Sequence, residues 1–117
     1  MTRDPAKVFA DIDAFDPERF VAHLTQDARF RFANADPVTG RDAIRQAVTA
    51  FFATIDGLTH HVLHVWEHGD TVVVQTEVEY LRKDGVSVTV PNMDVLIYEG
   101  ELVSDWQVYI DVAPVYA

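Results

Sequence analysis

The chain of 117 residues contains no cysteine. Disulfide bonds, thiol nucleophiles and metal sites built from thiolates are therefore excluded. Basic side chains are also scarce, because 9 lysines and arginines stand against 19 aspartates and glutamates, for a net charge of −10. Nucleic acids and anionic membranes bind clustered positive charge, so neither is expected as a partner. A glycine-rich phosphate loop and a Ser/His/Asp pattern above chance are missing too, and we expect no cofactor.

Long apolar runs are missing as well. No stretch approaches the roughly 20 apolar residues of a membrane span, and the first residues lack the apolar core of a signal peptide. A cytoplasmic protein is therefore expected. Hydrophobic residues nevertheless make up 49% of the chain, which is ample for a buried core. From this length and content, residues 1–117 are predicted to form one domain.

The first half of the chain carries helix signals. Asp4 and Asp16 each precede a proline, as an N-cap precedes proline at the first helical position. The second of these helices is expected to extend as far as Leu24. A third helix is expected behind Thr39 and Asp42, which resemble a capping box. Three helices are thus predicted in the N-terminal half.

The second half of the chain carries strand signals. Residues 28–34 already alternate as a short strand, and four longer strands follow from Leu58 onward, separated by the turn sequences HGD, KDG and EGE. Such short connections are typical of an antiparallel meander. Helices followed by a meander predict an α+β fold, with a curved, mostly antiparallel sheet and the three helices packed on one of its faces.

Asp94 lies in the body of a predicted strand, within the sequence PNMDVLIYEG. Its alternation phase includes Val88, Val90 and Leu96, so we place Asp94 on the inner face of the sheet. The preceding KDG turn decides this orientation. A two-residue turn would direct Asp94 outward beside Glu77, whereas an odd-numbered loop or a bulge keeps it inward.

The histidines of the first long strand depend on the HGD turn. A three-residue loop sends His60, His64 and Trp66 inward, an even-numbered loop sends them outward, and the sequence permits both. On a strand, His60 and His64 lie ~13 Å apart, so no metal site is expected. An inward His60 or His64 would be a partner base for Asp94.

The opposite phase of the Asp94 strand is also apolar. Met93, Val95 and Ile97 fall on the outer face, where an exposed apolar patch would pair two chains. We therefore expect a homodimer that forms through the outer face of the sheet.

These elements and their motifs resemble a known family. The segments GRDAI, HHVLHVWEHGD, VEYLRKDG, VTVP and WQVYIDVAP, in this order, are similar to those of the SnoaL-like proteins of the nuclear transport factor 2 superfamily. Ketosteroid isomerase, limonene epoxide hydrolase and the polyketide cyclases share that fold. The resemblance covers nearly the whole chain. It implies a cone-shaped sheet around an apolar pocket, with Asp94 on the pocket wall.

The catalytic residues of those relatives are only partly present. By resemblance, Asp94 corresponds to the protonated acid of ketosteroid isomerase, but the counterpart of that enzyme's general base falls at Arg31 or Phe32. The isomerase's tyrosine in the first helix has no equivalent, since no tyrosine precedes Tyr80. Limonene epoxide hydrolase and the cyclases need an acid near the position of Val108. The resemblance therefore implies the fold and leaves the reaction open.

Residues and resemblance together predict a small-molecule pocket protein. We expect cofactor-independent acid/base chemistry on a modest apolar substrate, as in an isomerase, cyclase or dehydratase. Asp94 and His60 are the candidate catalytic residues. The candidate substrate-binding residues are Asn92, Tyr80, Phe32, Trp106 and Val108. The alternative is a non-catalytic ligand-binding or dimerisation module of the same fold.

Overall fold

The chain forms a six-stranded, curved and unclosed sheet with helices on its concave face, in a computed structural model that describes residues 3–117. The elements in chain order are α1 (Pro5–Asp13), α2 (Pro17–Val21), β1 (Leu24–Phe32), β2 (Val38–Thr39), α3 (Arg41–Phe52), β3 (Gly57–His68), β4 (Thr71–Leu81), β5 (Ser87–Glu99), β6 (Leu102–Ile110) and α4 (Ala113–Tyr116). The strand order is β2-β1-β6-β5-β4-β3, and neighbours are antiparallel except for the parallel β1–β6 pair. The predicted α+β fold is confirmed. No helix within residues 3–117 is long and apolar enough to cross a bilayer.

Both predicted Asp-Pro helix starts are confirmed. The Asp4 carboxylate accepts a hydrogen bond from the Lys7 amide (3.2 Å), and the Asp16 carboxylate accepts one from the Glu18 amide (2.9 Å). Each side chain thereby satisfies an amide that the first turn of a helix leaves without a partner.

Two other helix boundaries differ from the expectation. α2 ends before Leu24, which instead starts β1 because it pairs with Val103 of β6. α3 begins behind Gly40 (φ +93°), which is its N-cap and offers no side chain. The predicted capping box of Thr39 and Asp42 is therefore wrong, since Thr39 belongs to β2 instead.

Trp106 of β6 is the centre of the core beneath α1 and α2. Its side chain is buried, and the ring of Phe20 from α2 stacks on it at a centroid distance of 4.9 Å. Phe9 of α1 and Phe30 of β1 meet Trp106 edge-on at 6.3 and 5.9 Å. Aromatic rings prefer these stacked and edge-on arrangements. The contacts therefore fix two short helices against the sheet and position the helix residues that face the interior.

The loop between β4 and β5 sets the register that buries Asp94. The Arg82 amide donates to the Val86 carbonyl (2.9 Å) across a three-residue loop, in which Gly85 adopts a left-handed conformation (φ +84°). Val74 consequently lies opposite Asp94. This is the odd-numbered alternative, and it confirms the inward prediction, because Asp94 is only 2% exposed on the inner face.

β3 contains a bulge that reverses the direction of its side chains. The turn to β4 has two residues, which sends His64 and Trp66 to the outer face. The pairing then shifts by one residue at Leu63, so that His60 lies on the inner face opposite Val78. Loop length alone would have kept His60 and His64 on the same face, and the extra residue separates them.

A buried carboxylate joins α1 to α2. Asp11 accepts hydrogen bonds from Lys7 Nζ (3.0 Å) and Arg19 Nη2 (2.6 Å), and His23 Nε2 lies 2.7 Å from its second oxygen. These partners, Lys7 foremost, hold the pKa of Asp11 well below its ordinary value of 3.8. Because the folded state favours the ionised carboxylate, the cluster contributes stability above pH 3.8 that is lost as the pH falls further.

We expect Asp11→Asn to lower the melting temperature by roughly 5 °C at pH 7, because charge-assisted hydrogen bonds are lost. Near pH 2 the wild type has lost part of the stabilisation that the ionised Asp11 provides. The difference in melting temperature between the wild type and Asp11→Asn should therefore be smaller there. Thermal unfolding followed by circular dichroism at both pH values measures this. Glu77→Gln, at an exposed position on the outer face, is the control and should change little. An equal loss at both pH values would show that the charge of Asp11 is unimportant.

Candidate active site

A cavity of about 250 Å³ lies between the concave face of the sheet and the helices. All seven candidate residues line it: Asp94, His60, Asn92, Tyr80, Phe32, Trp106 and Val108. The wall is largely apolar, and its aromatic members are Phe20, Phe30, Phe32, Phe51, Phe52, Tyr80 and Trp106. The structure thus brings the candidate residues together around one space, and the roles assigned to them stay predictions.

The Asp94 carboxyl is hydrogen-bonded at both oxygens. Oδ1 accepts from Asn92 Nδ2 at 2.6 Å, and Oδ2 accepts from Trp106 Nε1 at 2.7 Å. Burial raises the pKa of Asp94 above its ordinary value of 3.8, and it outweighs the opposing hydrogen bonds from Trp106 and Asn92 and the nearby His60. A carboxyl with a raised pKa in an apolar cavity is suited to hold and transfer a proton.

The Asn92 side chain completes the polar group around Asp94. Its Nδ2 donates both to Asp94 and to Thr76 Oγ1, the latter at 2.9 Å, and all three residues are buried. Its Oδ1 is buried and has no hydrogen-bond partner among the described residues. An unpaired oxygen of this kind is unusual, because buried polar atoms in proteins nearly always have a hydrogen-bond partner.

His60 is anchored by an acid from the first helix. Asp13, the last residue of α1, lies with Oδ1 2.6 Å from His60 Nδ1 and accepts a hydrogen bond from the His60 amide at Oδ2 (2.8 Å). The ring also packs against Phe9 at 4.9 Å. A carboxylate at Nδ1 favours the tautomer with hydrogen on that nitrogen, which leaves Nε2 as an acceptor.

Asp13 is the residue of the candidate site that sequence reasoning missed. It lies 47 positions before His60, and its contact requires both the end of α1 and the bulge in β3. The sequence carries no local signal for such a pair. An acid at the end of a helix is ordinarily solvated, and only the tertiary packing places this one beside a ring nitrogen.

The aromatic wall is closely packed around Tyr80. Phe51 meets Tyr80 edge-on at 6.0 Å and contacts Phe32 at 4.8 Å. Burial raises the pKa of the Tyr80 hydroxyl, so this group stays uncharged near neutrality. The aromatic side therefore contributes flat apolar surface together with one neutral hydroxyl.

The cavity lining includes carboxyl groups, those of Asp36 and Asp94, but no basic side chain to balance them among the described residues. None of the residues between 3 and 117 that line it is lysine or arginine. The exposed lining residues Ala35 and Asp36, in the loop between β1 and β2, mark the opening of the cavity beside α3. An anionic ligand would meet a carboxylate at the opening and no counter-charge inside.

The sequence profile of the SnoaL-like domain matches residues 6–106, which is most of the chain. The chain belongs to the SnoaL-like family. The family resemblance inferred from the sequence is thereby confirmed. No curated protein matches this SnoaL-like chain in sequence.

Solved structures share the fold of this SnoaL-like chain. A Catenulispora acidiphila protein with a ketosteroid isomerase-like fold, solved with trimethylamine, has a TM-score of 0.87 at 19% identity, covering 97% of this chain and 91% of its own. TerC, co-crystallised with polyporic acid, has a TM-score of 0.84 at 14% identity, covering 95% and 91%. SalBIII, an epoxide hydrolase/cyclase-like enzyme with a role in pyran ring formation in the polyether salinomycin, has a TM-score of 0.78 at 20% identity, covering 91% and 86%. At these identities the likeness shows the fold alone.

We expect the wild type to lose stability relative to Asp94→Asn as the pH rises from about 4 towards neutrality. In the window between pH 3.8 and the raised pKa of Asp94, the folded protein retains a proton that the unfolded chain has released. The free energy of unfolding of the wild type, relative to that of Asp94→Asn, therefore falls with rising pH by about 1.4 kcal/mol per pH unit within that window. Urea unfolding at a series of pH values measures the difference between the two proteins.

The matched control for this experiment is Asp27→Asn, which removes an exposed carboxylate from β1. Its stability should follow the pH dependence of the wild type. An Asp94 carboxyl carbon that titrates near pH 3.8 by NMR would contradict the raised pKa.

Proposed function

We propose that this SnoaL-like protein is an enzyme that moves a proton within an uncharged, largely apolar substrate, without a cofactor. The observation that carries the proposal is the placement of two acid/base groups, Asp94 and His60, on the wall of one apolar cavity. Isomerases, cyclases and dehydratases rely on the removal of one proton and the donation of another. A pair of such groups facing one substrate can perform both steps.

His60 is the proposed general base. The Asp13 carboxylate holds the hydrogen of Nδ1, so Nε2 keeps the lone pair that takes a proton from a carbon next to a substrate carbonyl. The same carboxylate stabilises the imidazolium that this step forms. Asp13 acts through His60 and is a positioning residue.

Asp94 is the proposed proton donor. Its raised pKa keeps a proton on the carboxyl, which passes to the carbonyl oxygen while His60 removes the proton from carbon. The electron pair of the broken C–H bond forms the C=C bond of an enol. When the enol regains a proton at carbon, its hydroxyl proton returns to Asp94, and both groups are restored.

The names of two structural neighbours support chemistry of this kind. SalBIII is described as epoxide hydrolase/cyclase-like, and TerC was crystallised with the ring compound polyporic acid. Their likeness to this chain is one of fold. The proposed reaction therefore rests on the residues that this chain itself places in the cavity.

The wild type should accelerate the exchange of deuterium from D2O into the carbon next to the carbonyl of 2-tetralone or 1-indanone. These are small uncharged ring ketones. We expect at least ~10-fold faster exchange with the wild type than with Asp94→Asn or His60→Gln, since general acid–base groups typically contribute 10²–10⁴-fold. Mass spectrometry of the recovered ketone measures the rate, and Asp27→Asn should behave as the wild type.

Exchange that is no faster with the wild type than with these two variants would contradict the enzymatic proposal. If the ketones still bind, that result favours the alternative of a non-catalytic ligand-binding module. Asp94→Asn and His60→Gln should therefore also be assayed for ketone binding.

We further propose that two chains pair through the outer face of the sheet. Met93, Val95 and Ile97 lie on that face, and cross-strand pairing extends the patch to Trp66 through Val73 and to Tyr109 through Met93. Three of its side chains are conspicuously exposed: Ile97 at 40%, Trp66 at 45% and Tyr109 at 59%. Contiguous exposed apolar surface of this kind is typical of interfaces between subunits.

Size-exclusion chromatography with light scattering should give twice the chain mass of 13.2 kDa at micromolar concentration. Val95→Glu places a charge in the middle of the patch and should yield the monomer with an unchanged circular dichroism spectrum. Glu77→Gln, elsewhere on the outer face, should leave the dimer intact. A monomeric wild type would remove this proposal.

A further inference from the structure

The Tyr80 hydroxyl is a polar group of the cavity that the protein itself leaves unpaired. Tyr80 lines the cavity from β4 and packs edge-on against Phe51, and its hydroxyl has no hydrogen-bond partner within residues 3–117. Hydroxyls in such surroundings nearly always have a partner, because a hydroxyl that leaves water without one is destabilising. The partner must therefore come from the contents of the cavity.

A ligand in the cavity can reach this oxygen. Asn92 Oδ1 and the Tyr98 hydroxyl also lack partners in the described part of the chain, but the surrounding atoms seal both of them from solvent. The Tyr80 oxygen is unpaired without being sealed in this way, so it retains accessible surface. Tyr80 as a whole is only 2% exposed and lines the cavity. The accessible part of its hydroxyl therefore lies on the cavity wall.

The Tyr80 hydroxyl lies on the side of the cavity that carries the acid/base groups. Tyr80 and His60 are diagonal neighbours on the inner face, since His60 is opposite Val78 and Tyr80 follows two residues later on β4. Burial raises the pKa of Tyr80, and the negative charges of Asp94 and Asp13 raise it further. Tyr80 therefore keeps its hydrogen near neutrality, and both acids act on its hydroxyl.

The polar groups of the cavity define what a ligand must offer. Neutral Tyr80 donates one hydrogen and protonated Asp94 donates another, whereas Nε2 of His60 accepts. A carbonyl oxygen has two lone pairs and accepts from both donors. The hydrogen of an alcohol would instead compete for His60 Nε2, the acceptor that the proposed reaction needs free.

We propose that Tyr80 binds the carbonyl oxygen of the substrate by donating its hydroxyl hydrogen, and that the site thereby selects cyclic ketones over hydrocarbons and alcohols of the same shape. This inference rests on the proposed function insofar as it takes the same cavity as the substrate site. Tyr80 keeps its proton throughout, and Asp94 and His60 transfer the protons.

Three ligands with one ring skeleton test the proposal by isothermal titration calorimetry: the ketone 2-tetralone, the alcohol 2-tetralol and the hydrocarbon tetralin. We expect the wild type to bind 2-tetralone at least about fivefold more tightly than either of the others, because only the ketone satisfies both donors and leaves His60 free. Tyr80→Phe keeps the ring and removes the hydroxyl. It should reduce the advantage of 2-tetralone over tetralin by at least about fivefold.

Tyr98→Phe is the matched control, since it removes another unpaired tyrosine hydroxyl, one that does not line the cavity. It should keep the preference for the ketone. Both variants should unfold at or above the wild-type temperature, because neither hydroxyl makes a hydrogen bond within residues 3–117 that would be lost. In infrared spectra, the carbonyl band of bound 2-tetralone should move to higher frequency in Tyr80→Phe and stay in place in Tyr98→Phe.

Wild-type binding of tetralin or 2-tetralol as tight as that of 2-tetralone would overturn the inference. So would a preference and a carbonyl band that Tyr80→Phe leaves unchanged. The outcome is separable from that of the proposed enzymatic function. Ketone selectivity that depends on Tyr80, without deuterium exchange, would remove catalysis and keep this inference. Exchange by the wild type together with unchanged selectivity in Tyr80→Phe would remove this inference alone.

Discussion

The burial of the Asp94 carboxyl in apolar surroundings is the constraint on which the site depends. Burying an ionised carboxylate without partners would be unfavourable in free energy. Here Asn92 and Trp106 donate hydrogen bonds to the carboxyl, and its raised pKa favours the neutral form. Trp106 is also the ring on which Phe20 of α2 stacks. The polar centre of the cavity and the packing of the helices therefore share one side chain.

A second polar pair reaches the cavity from β3 and α1. His60 turns inward only because the bulge at Leu63 shifts the β3–β4 pairing, and Asp13 reaches it only because α1 packs across β3. Bulges commonly re-aim a side chain next to a functional site. The two acid/base groups thus arrive by different structural devices, a loop of odd length for Asp94 and an extra strand residue for His60.

Membership of the SnoaL-like family accounts for the architecture and leaves the chemistry to individual side chains. Phe32 and Val108, which by resemblance stand near positions where relatives need an acid, both line this cavity as apolar residues. Polarity is concentrated instead on the side of Asp94, Asn92 and His60. A cavity with one polar side and an aromatic remainder orients a ligand by a single polar group.

Periodicity and turn residues in the sequence determined the α+β class, the helix starts at Asp4 and Asp16 and the inner phase of Asp94, because these follow from local conformational preferences and from alternation along one strand. Local patterns also suggested that Leu24 would be helical, and pairing with Val103 decided otherwise. Only the tertiary structure decided that His60 and His64 face opposite ways, that Asp13 contacts His60 and that Asn92 Oδ1 has no hydrogen-bond partner within residues 3–117. Those features depend on strand register and on contacts between residues up to 47 positions apart, and such contacts leave no trace in the local pattern of either partner.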